Sequence, residues 1–294
     1  MPRFGPDNFR SVLSHGKIGQ KRALLLISPY VDFQKEAALL MVYDKKAKKT
    51  GGVRVPIFYK SGNHKEIYYA IQADCPEGKR ILENYPHSTP SQKKDLAKLY
   101  WQTQSTTKQL SKPAATWTDV VLSDLSERLK EGRVNGAFQR GIITEELKDK
   151  AIESLFKNSK NLSVYYFFNL FQNTDIIETP EGERFIYNVW LRPKLDGFGM
   201  AMMLWGIAMR WPGSFGSWIG EMNAWLTAFI STAPLASKKL VDHMVYTNMI
   251  ERTLSTLLVD LPLARKPFDE MNTKQIKEKV KFFQTFLNFL ISAT

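Results

Sequence analysis

Leu195-Asp196-Gly197-Phe198-Gly199-Met200-Ala201-Met202-Met203-Leu204-Trp205-Gly206-Ile207-Ala208-Met209-Arg210-Trp211-Pro212-Gly213, continuing through Ser214 to Ile230, decides how this chain is built. Phe198 to Met209 is apolar on every face of a helix, and such a helix must be buried on every side. A bilayer span takes about 20 apolar residues, and Arg210-Trp211-Pro212-Gly213 ends the run well short of that. The second run, up to Ile230, carries Glu221 and Asn223 near its middle. The pair therefore reads as the two central helices of a soluble helical lobe. Ala and Gly would let backbones approach, while Met and Trp fill irregular gaps. A membrane hairpin is the alternative reading of the same stretch.

Outward from this core, the composition is that of a globular chain. With 294 residues, 44% of them hydrophobic, there is enough apolar surface for a large core, which excludes global disorder. The lone cysteine, Cys75, rules out an internal disulfide, and the N-terminus has no apolar signal core. Both features predict an intracellular, cytoplasmic protein, or a virion component if the source is viral. The net charge of +12 is unevenly placed. Residues 1–60 hold 12 Lys and Arg against four Asp and Glu, whereas residues 113–294 are nearly balanced at 21 against 20. Such asymmetry predicts a polyanion partner for the N-terminal part.

The pattern divides the chain into an N-terminal arm (1–22), a basic lobe (23–112), a helical core lobe (113–266) and a C-terminal amphipathic helix (267–294). In the basic lobe, Ala37 to Tyr43 reads as a strand, and Lys45, Lys46, Lys48 and Lys49 occupy the turn that follows it. Val53 to Lys60 alternates with the period of a second strand, and Ile67 to Ile71 with that of a third, so an antiparallel β-meander is expected. Pro56 cannot donate to a ladder and marks a bulge or an edge. Residues 79–101 read as a polar helix and residues 102–116 as a polar linker. From Thr118 onward the pattern is mainly helical, with Thr144 as one helix cap and Pro180-Glu181-Gly182 as a hairpin turn. The fold class predicted is therefore α+β: a small basic lobe with a meander, then a larger helical lobe.

No catalytic motif is evident. His15, His64, His87 and His243 have no metal-ligand spacing, so no metal is expected. Gly197-Phe198-Gly199 lacks the Lys and Ser/Thr of a phosphate loop. Glu146-Leu147-Lys148 reads as a surface ion pair on a helix. On this reading the protein is not an enzyme and needs no cofactor.

The basic constellation is richer. Lys17, Lys21, Arg22, Lys45, Lys46, Lys48, Lys49, Arg54, Lys60 and Lys65 are interleaved with Tyr59 and Tyr68, and Arg192, Lys194 and Arg210 form a candidate opposite wall. Cations for phosphates beside flat rings for bases are what sequence-independent single-strand binding requires. The terminal helix presents Ile276, Val280, Phe283, Leu287 and Leu290 on one face, and Phe4 and Phe9 mark the N-terminal arm; both ends read as devices for joining subunits. The function expected from sequence is a single-stranded RNA-binding coat protein of the viral nucleocapsid kind, forming a homo-oligomer through its terminal arms. A matrix-type protein binding anionic lipid is the alternative, with membrane the less favoured partner.

Overall fold

The computed structural model describes residues 11–28, 32–74, 76–81, 88–168, 171, 176–186, 191–265 and 267–294. Phe4, Phe9 and Cys75 lie outside them. The chain forms two compact units. The first comprises Met1–Glu83, Leu99–Ser111 and Tyr166–Arg192; the second comprises Asn84–Lys98, Lys112–Tyr165 and Pro193–Thr294. The α+β class predicted from sequence is what the structure shows, with a small antiparallel sheet near the N-terminus and a mostly helical remainder.

In the first unit, two strands, β1 (Ser11–Ile18) and β2 (Lys21–Ser28), precede helix α1 (Asp32–Thr50), and β3 (Phe58–His64) and β4 (Ile67–Ala73) follow it. All pair antiparallel in the order β1-β2-β4-β3. The segment 11–18, read from the sequence as part of the N-terminal arm, is an edge strand. The meander is also corrected at its first member. Ala37 to Tyr43 and the lysines after it belong to one helix, not to a strand and a turn. Ala, Leu and Met favour that helix, and its buried positions are Phe33, Glu36, Ala37, Leu40, Tyr43, Asp44 and Ala47, at spacings of three and four. Gly51 ends it at φ 74°, donating its N–H to the Ala47 carbonyl. The second strand begins at Phe58, so Pro56 stands ahead of the ladder and obstructs nothing.

Behind α1 lies an aromatic cluster. Tyr43 meets Phe168 edge-on with ring centroids 5.0 Å apart, and Phe167, Phe171 and Tyr100 extend the cluster. The Tyr43 hydroxyl donates to the Val53 carbonyl at 2.6 Å, and burial pushes its pKa up. A short hairpin, β7 (Ile176–Glu178) and β8 (Arg184–Ile186), turns at Thr179–Glu183 as the Pro-Glu-Gly signal predicts, and β5 (Lys79–Arg80) pairs with β7. A further pair, β6 (Val164–Phe168) and β9 (Leu191–Leu195), forms a two-stranded sheet.

Helix α2 (Pro90–Lys108) runs through much of the segment expected as a linker. The second unit contains α3 (Trp117–Val134), α4 (Glu145–Ser159), α5 (Phe198–Arg210), α6 (Phe215–Thr232), α7 (Val241–Ser255) and α8 (Thr273–Ala293). The apolar pair from the opening stretch is α5 and α6. Every residue of α5 from Phe198 to Met209 is buried, as an all-apolar helix requires. Among the described residues, no helix is long and apolar enough to cross a membrane. Thr144 caps α4 by accepting from the Leu147 N–H, and Thr116 caps α3 in a reciprocal box with Asp119. Helix α8 buries Phe282, Phe283, Phe286, Leu287 and Leu290 within its own chain, while Ile276 and Val280 are half-buried. The arm-exchange role read into that face is therefore corrected: its apolar side is already covered. Near the start of α8, Lys279 donates to the Trp211 carbonyl at 2.6 Å just past the C-terminal end of α5, and burial lowers its pKa to about 8.

Gly197 opens α5 at φ 86°, and a Cβ there would lie 2.5 Å from the Met244 Cβ and 3.0 Å from the Met244 carbonyl. The left-handed backbone alone costs a side chain about 1–2 kcal/mol, and α7 backbone cannot yield as a flexible chain end could. Gly197→Ala is expected to lower unfolding free energy by about 2–4 kcal/mol, measured by urea denaturation against wild type.

Candidate functional site

Two carboxylates on the buried face of α1 organise the charged part of the first unit. Glu36 is 5% exposed and accepts from Nη1 of Arg192 on β9. Two turns along the helix, Asp44 holds Arg54 through both oxygens, Nε to Oδ1 at 2.6 Å and Nη2 to Oδ2 at 3.2 Å. The third face of that guanidinium, Nη1, donates to Glu183 Oε1 at 2.8 Å. Burial opposes the charge on Arg54, but the Asp44 and Glu183 carboxylates outweigh it and hold the pKa above its ordinary value. The backbone fixes the same residue. The Arg54 N–H donates to the Arg184 carbonyl at 2.6 Å and its carbonyl accepts from Ile186 at 2.8 Å, in a parallel bridge beside β8. The guanidinium also sits 5.2 Å from the Phe185 ring centroid.

Beside this linkage is an open cleft of about 700 Å³ whose lining includes Lys48, Gly51, Gly52, Arg54, Glu183 and Arg184. Gly52 is buried against α2, where a Cβ would come 3.1 Å from the Thr103 Cα. Three of the residues read as an RNA contact surface, Lys48, Arg54 and Arg192, thus belong to ion pairs that seat α1.

The other predicted contacts are dispersed. Lys45 and Lys49 project from α1 into solvent and Lys46 is half-buried. Lys48 and Lys49 stand in its last turn, where cations complement the macrodipole. Lys17 and Arg22 face each other across β1 and β2, with Lys21 at the start of β2. Lys60 lies on β3 at the opposite edge of the sheet, and Lys65 occupies the β3–β4 turn at φ 55°. Tyr59 and Tyr68 are half-buried. Lys194 belongs to the second unit and is buried against Asp124, Nζ to Oδ2 at 2.8 Å, while Arg210 reaches back to the Gly206 carbonyl at the end of α5. Among the described residues these cations are thus spread over both edges of the sheet, helix α1 and the second unit.

No family model matches the sequence, and no curated protein matches it. Solved structures do match over nearly the full chain. An amicoumacin kinase in complex with AMP-PNP, calcium and amicoumacin superposes with a TM-score of 0.58 at 11% identity, covering 97% of this chain and 89% of that one. An aminoglycoside 2′-phosphotransferase with GDP gives 0.51 at 11% identity and 94% coverage of both chains. A spectinomycin phosphotransferase with ADP and spectinomycin gives 0.50 at 13% identity, covering 97% and 91%. This is a protein-kinase-like fold. The finding overturns the coat-protein reading, together with its single-stranded RNA partner, its assembly through terminal arms and its premise that the chain is not an enzyme. The fold is one that those phosphotransferases share, and the lysine cluster that suggested RNA is the end of a helix.

Kinase chemistry uses a strand lysine paired with a helix glutamate, a catalytic aspartate, and an asparagine and an aspartate that hold magnesium. The sequence contains no His-x-Asp-x-x-x-x-Asn, Asp-Phe-Gly or Val-Ala-Ile-Lys. Among the described residues, no three of His, Cys, Asp and Glu cluster to hold a metal ion. Helix α1 does carry a buried glutamate, Glu36, and an arginine is among its partners.

Sequence reading missed Glu36, Asp44, Glu183 and Asp124. The signal for the first two was available: both fall on the apolar stripe of α1, and a carboxylate on such a stripe needs a buried partner. Asp124 sits on α3 within an ionic group that includes Lys194 and Arg252. Burial raises its pKa, but Lys194 and Arg252 outweigh that and hold the carboxyl below its ordinary value. Its stabilisation is thus complete above the ordinary carboxylate range and is lost as pH falls through the lower folded value. Asp124→Asn leaves a buried ammonium unmatched and is expected to cost about 3–5 kcal/mol at pH 7. In parallel denaturation series, the gap to wild type should close as the pH drops below about 4.

Proposed function

We propose that the chain is a small-molecule phosphotransferase, with the first unit handling the nucleotide. The observation that carries this reading is the Glu36–Arg192 pair: a carboxylate buried on the helix behind the sheet, holding one cation in place. In kinases the corresponding glutamate orients a lysine against the donor phosphates. The full-length likeness to antibiotic phosphotransferases supports the same assignment, and it favours a polar, hydroxyl-bearing small molecule as acceptor over a protein.

Each group has a definite task on this reading. Glu36, shielded from water, fixes the guanidinium orientation and offsets the cost of its partial burial. Arg192 is 32% exposed, and a guanidinium's planar fork binds phosphate in two-point geometry. A bound nucleoside triphosphate supplies the transferable phosphoryl group. The protein's contribution is positioning and charge neutralisation, which carry most of the catalysis in this reaction class.

The test is transfer of label from γ-labelled ATP or GTP to a panel of hydroxylated amines and aminoglycosides, with magnesium, manganese or calcium present. Wild type should transfer label, and Glu36→Gln and Arg192→Met should each lower kcat/KM by about 100-fold while retaining wild-type circular dichroism. Wild-type protein that neither binds either nucleotide nor transfers label under any of these conditions would sink the assignment.

A further inference from the structure

We infer that the cleft beside Arg54 is a binding site for a small oxyanion, a phosphate ester or polycarboxylate, and that Glu183 is the internal group such a ligand displaces. The inference stands apart from the phosphotransfer reading, because it rests on different residues.

The cleft, at about 700 Å³, is of ordinary size for a small-ligand site. Its lining holds more cations than carboxylates, and each of those cations has a carboxylate partner. Lys48, Arg54 and Arg184 contribute three cations and Glu183 one carboxylate, while Asp44 turns both oxygens onto Arg54. The α1 carbonyl end nearby bears partial negative charge, which Lys48 and Lys49 in its last turn offset. Arg54 is preorganised: two of its nitrogens are fixed on a largely buried aspartate, its backbone is locked into the bridge beside β8, and the Phe185 ring lies against it. A guanidinium held this way loses little freedom when its remaining face meets an anion.

That remaining face is occupied by the weaker partner. The Glu183 side chain is 54% exposed on the hairpin turn, against 10% for Asp44. An exposed ion pair is worth only about 0.2–1 kcal/mol, so an incoming phosphate can replace the Glu183 carboxylate at Nη1 at small cost. Arg184, held by Glu178 at 2.8 Å, and Lys48, 51% exposed, are within the same lining to receive the other oxygens.

The experiment is calorimetric titration of the full chain with inorganic pyrophosphate and, separately, with citrate, in nucleotide-free buffer containing chelator. Wild type should bind at least one probe, and whichever binds more tightly names the ligand as phosphate-like or carboxylate-like. Glu183→Gln should tighten that binding about two- to fivefold, the equivalent of the exposed pair it removes. The double variant Lys48→Gln/Arg184→Gln should weaken it about tenfold. Both changes are at accessible side chains, and circular dichroism confirms the fold. The same titrations in an Arg192→Met background separate this site from the proposed nucleotide site, since the Glu183-sensitive binding should survive there. No binding of either probe at millimolar concentration, or binding unaltered by Glu183→Gln and by the double variant, would overturn the inference.

Discussion

Helix α1 must bring two carboxylates into the interior of the first unit, and much of that unit is arranged to satisfy them. An isolated buried carboxylate would cost many kcal/mol or take up a proton. Glu36 and Asp44 instead lie at spacings that put them on one stripe with Phe33, Leu40 and Tyr43, each with an arginine brought from elsewhere in the sequence. Arg192 is 156 residues from Glu36 along the chain. Arg54 is close in sequence to Asp44 but carries the β8 strand with it through two backbone hydrogen bonds. A shift of α1 along its axis would break both ion pairs and uncover the aromatic cluster at once.

This arrangement explains why the basic N-terminal region misled as a signal. Net charge counts cations without regard to their partners, and a cluster of four lysines in five residues looks like a polyanion site whenever it is assigned to a turn. At the end of a helix the same residues have a local reason to be there, because the terminal carbonyls favour cations. The strand reading of residues 37–43 came from a run apolar at too many positions to discriminate strand from helix. Alanine and leucine content, and the recurrence at 33, 36, 37, 40, 43, 44 and 47, favour the helix once the window is widened. Short apolar runs carry this ambiguity by nature, whereas the all-apolar α5 and the capped start of α4 are long or specific enough to be read directly.

What remained illegible in the sequence was the pairing between distant segments. Nothing local announces that Arg192 belongs to Glu36, Glu183 to Arg54 or Lys194 to Asp124, since ion pairs have no spacing rule across a tertiary fold. Nor did the sequence show that Tyr166–Arg192 joins the N-terminal strands in one unit. The kinase-like architecture depends on those long-range associations. Motif reading could not reach it, because the fold is retained here without the short sequences by which kinases are ordinarily recognised.

On the proposed reading, an arginine in place of a lysine at the helix glutamate has a chemical consequence. An ammonium is a compact point charge that can follow a phosphate through small displacements, and it can lose its proton when dehydrated. A guanidinium stays charged at any physiological pH and binds along fixed directions, so the plane set by Glu36 becomes a constraint on whatever Arg192 holds. Such a site gains geometric definition and gives up adaptability. The proposed donor phosphate would be positioned from β9, beyond the hairpin, rather than from a strand of the N-terminal sheet. That change of origin moves the cation while keeping the buried carboxylate in place, and it is the carboxylate, fixed by the helical stripe, that defines where a compensating positive charge has to be.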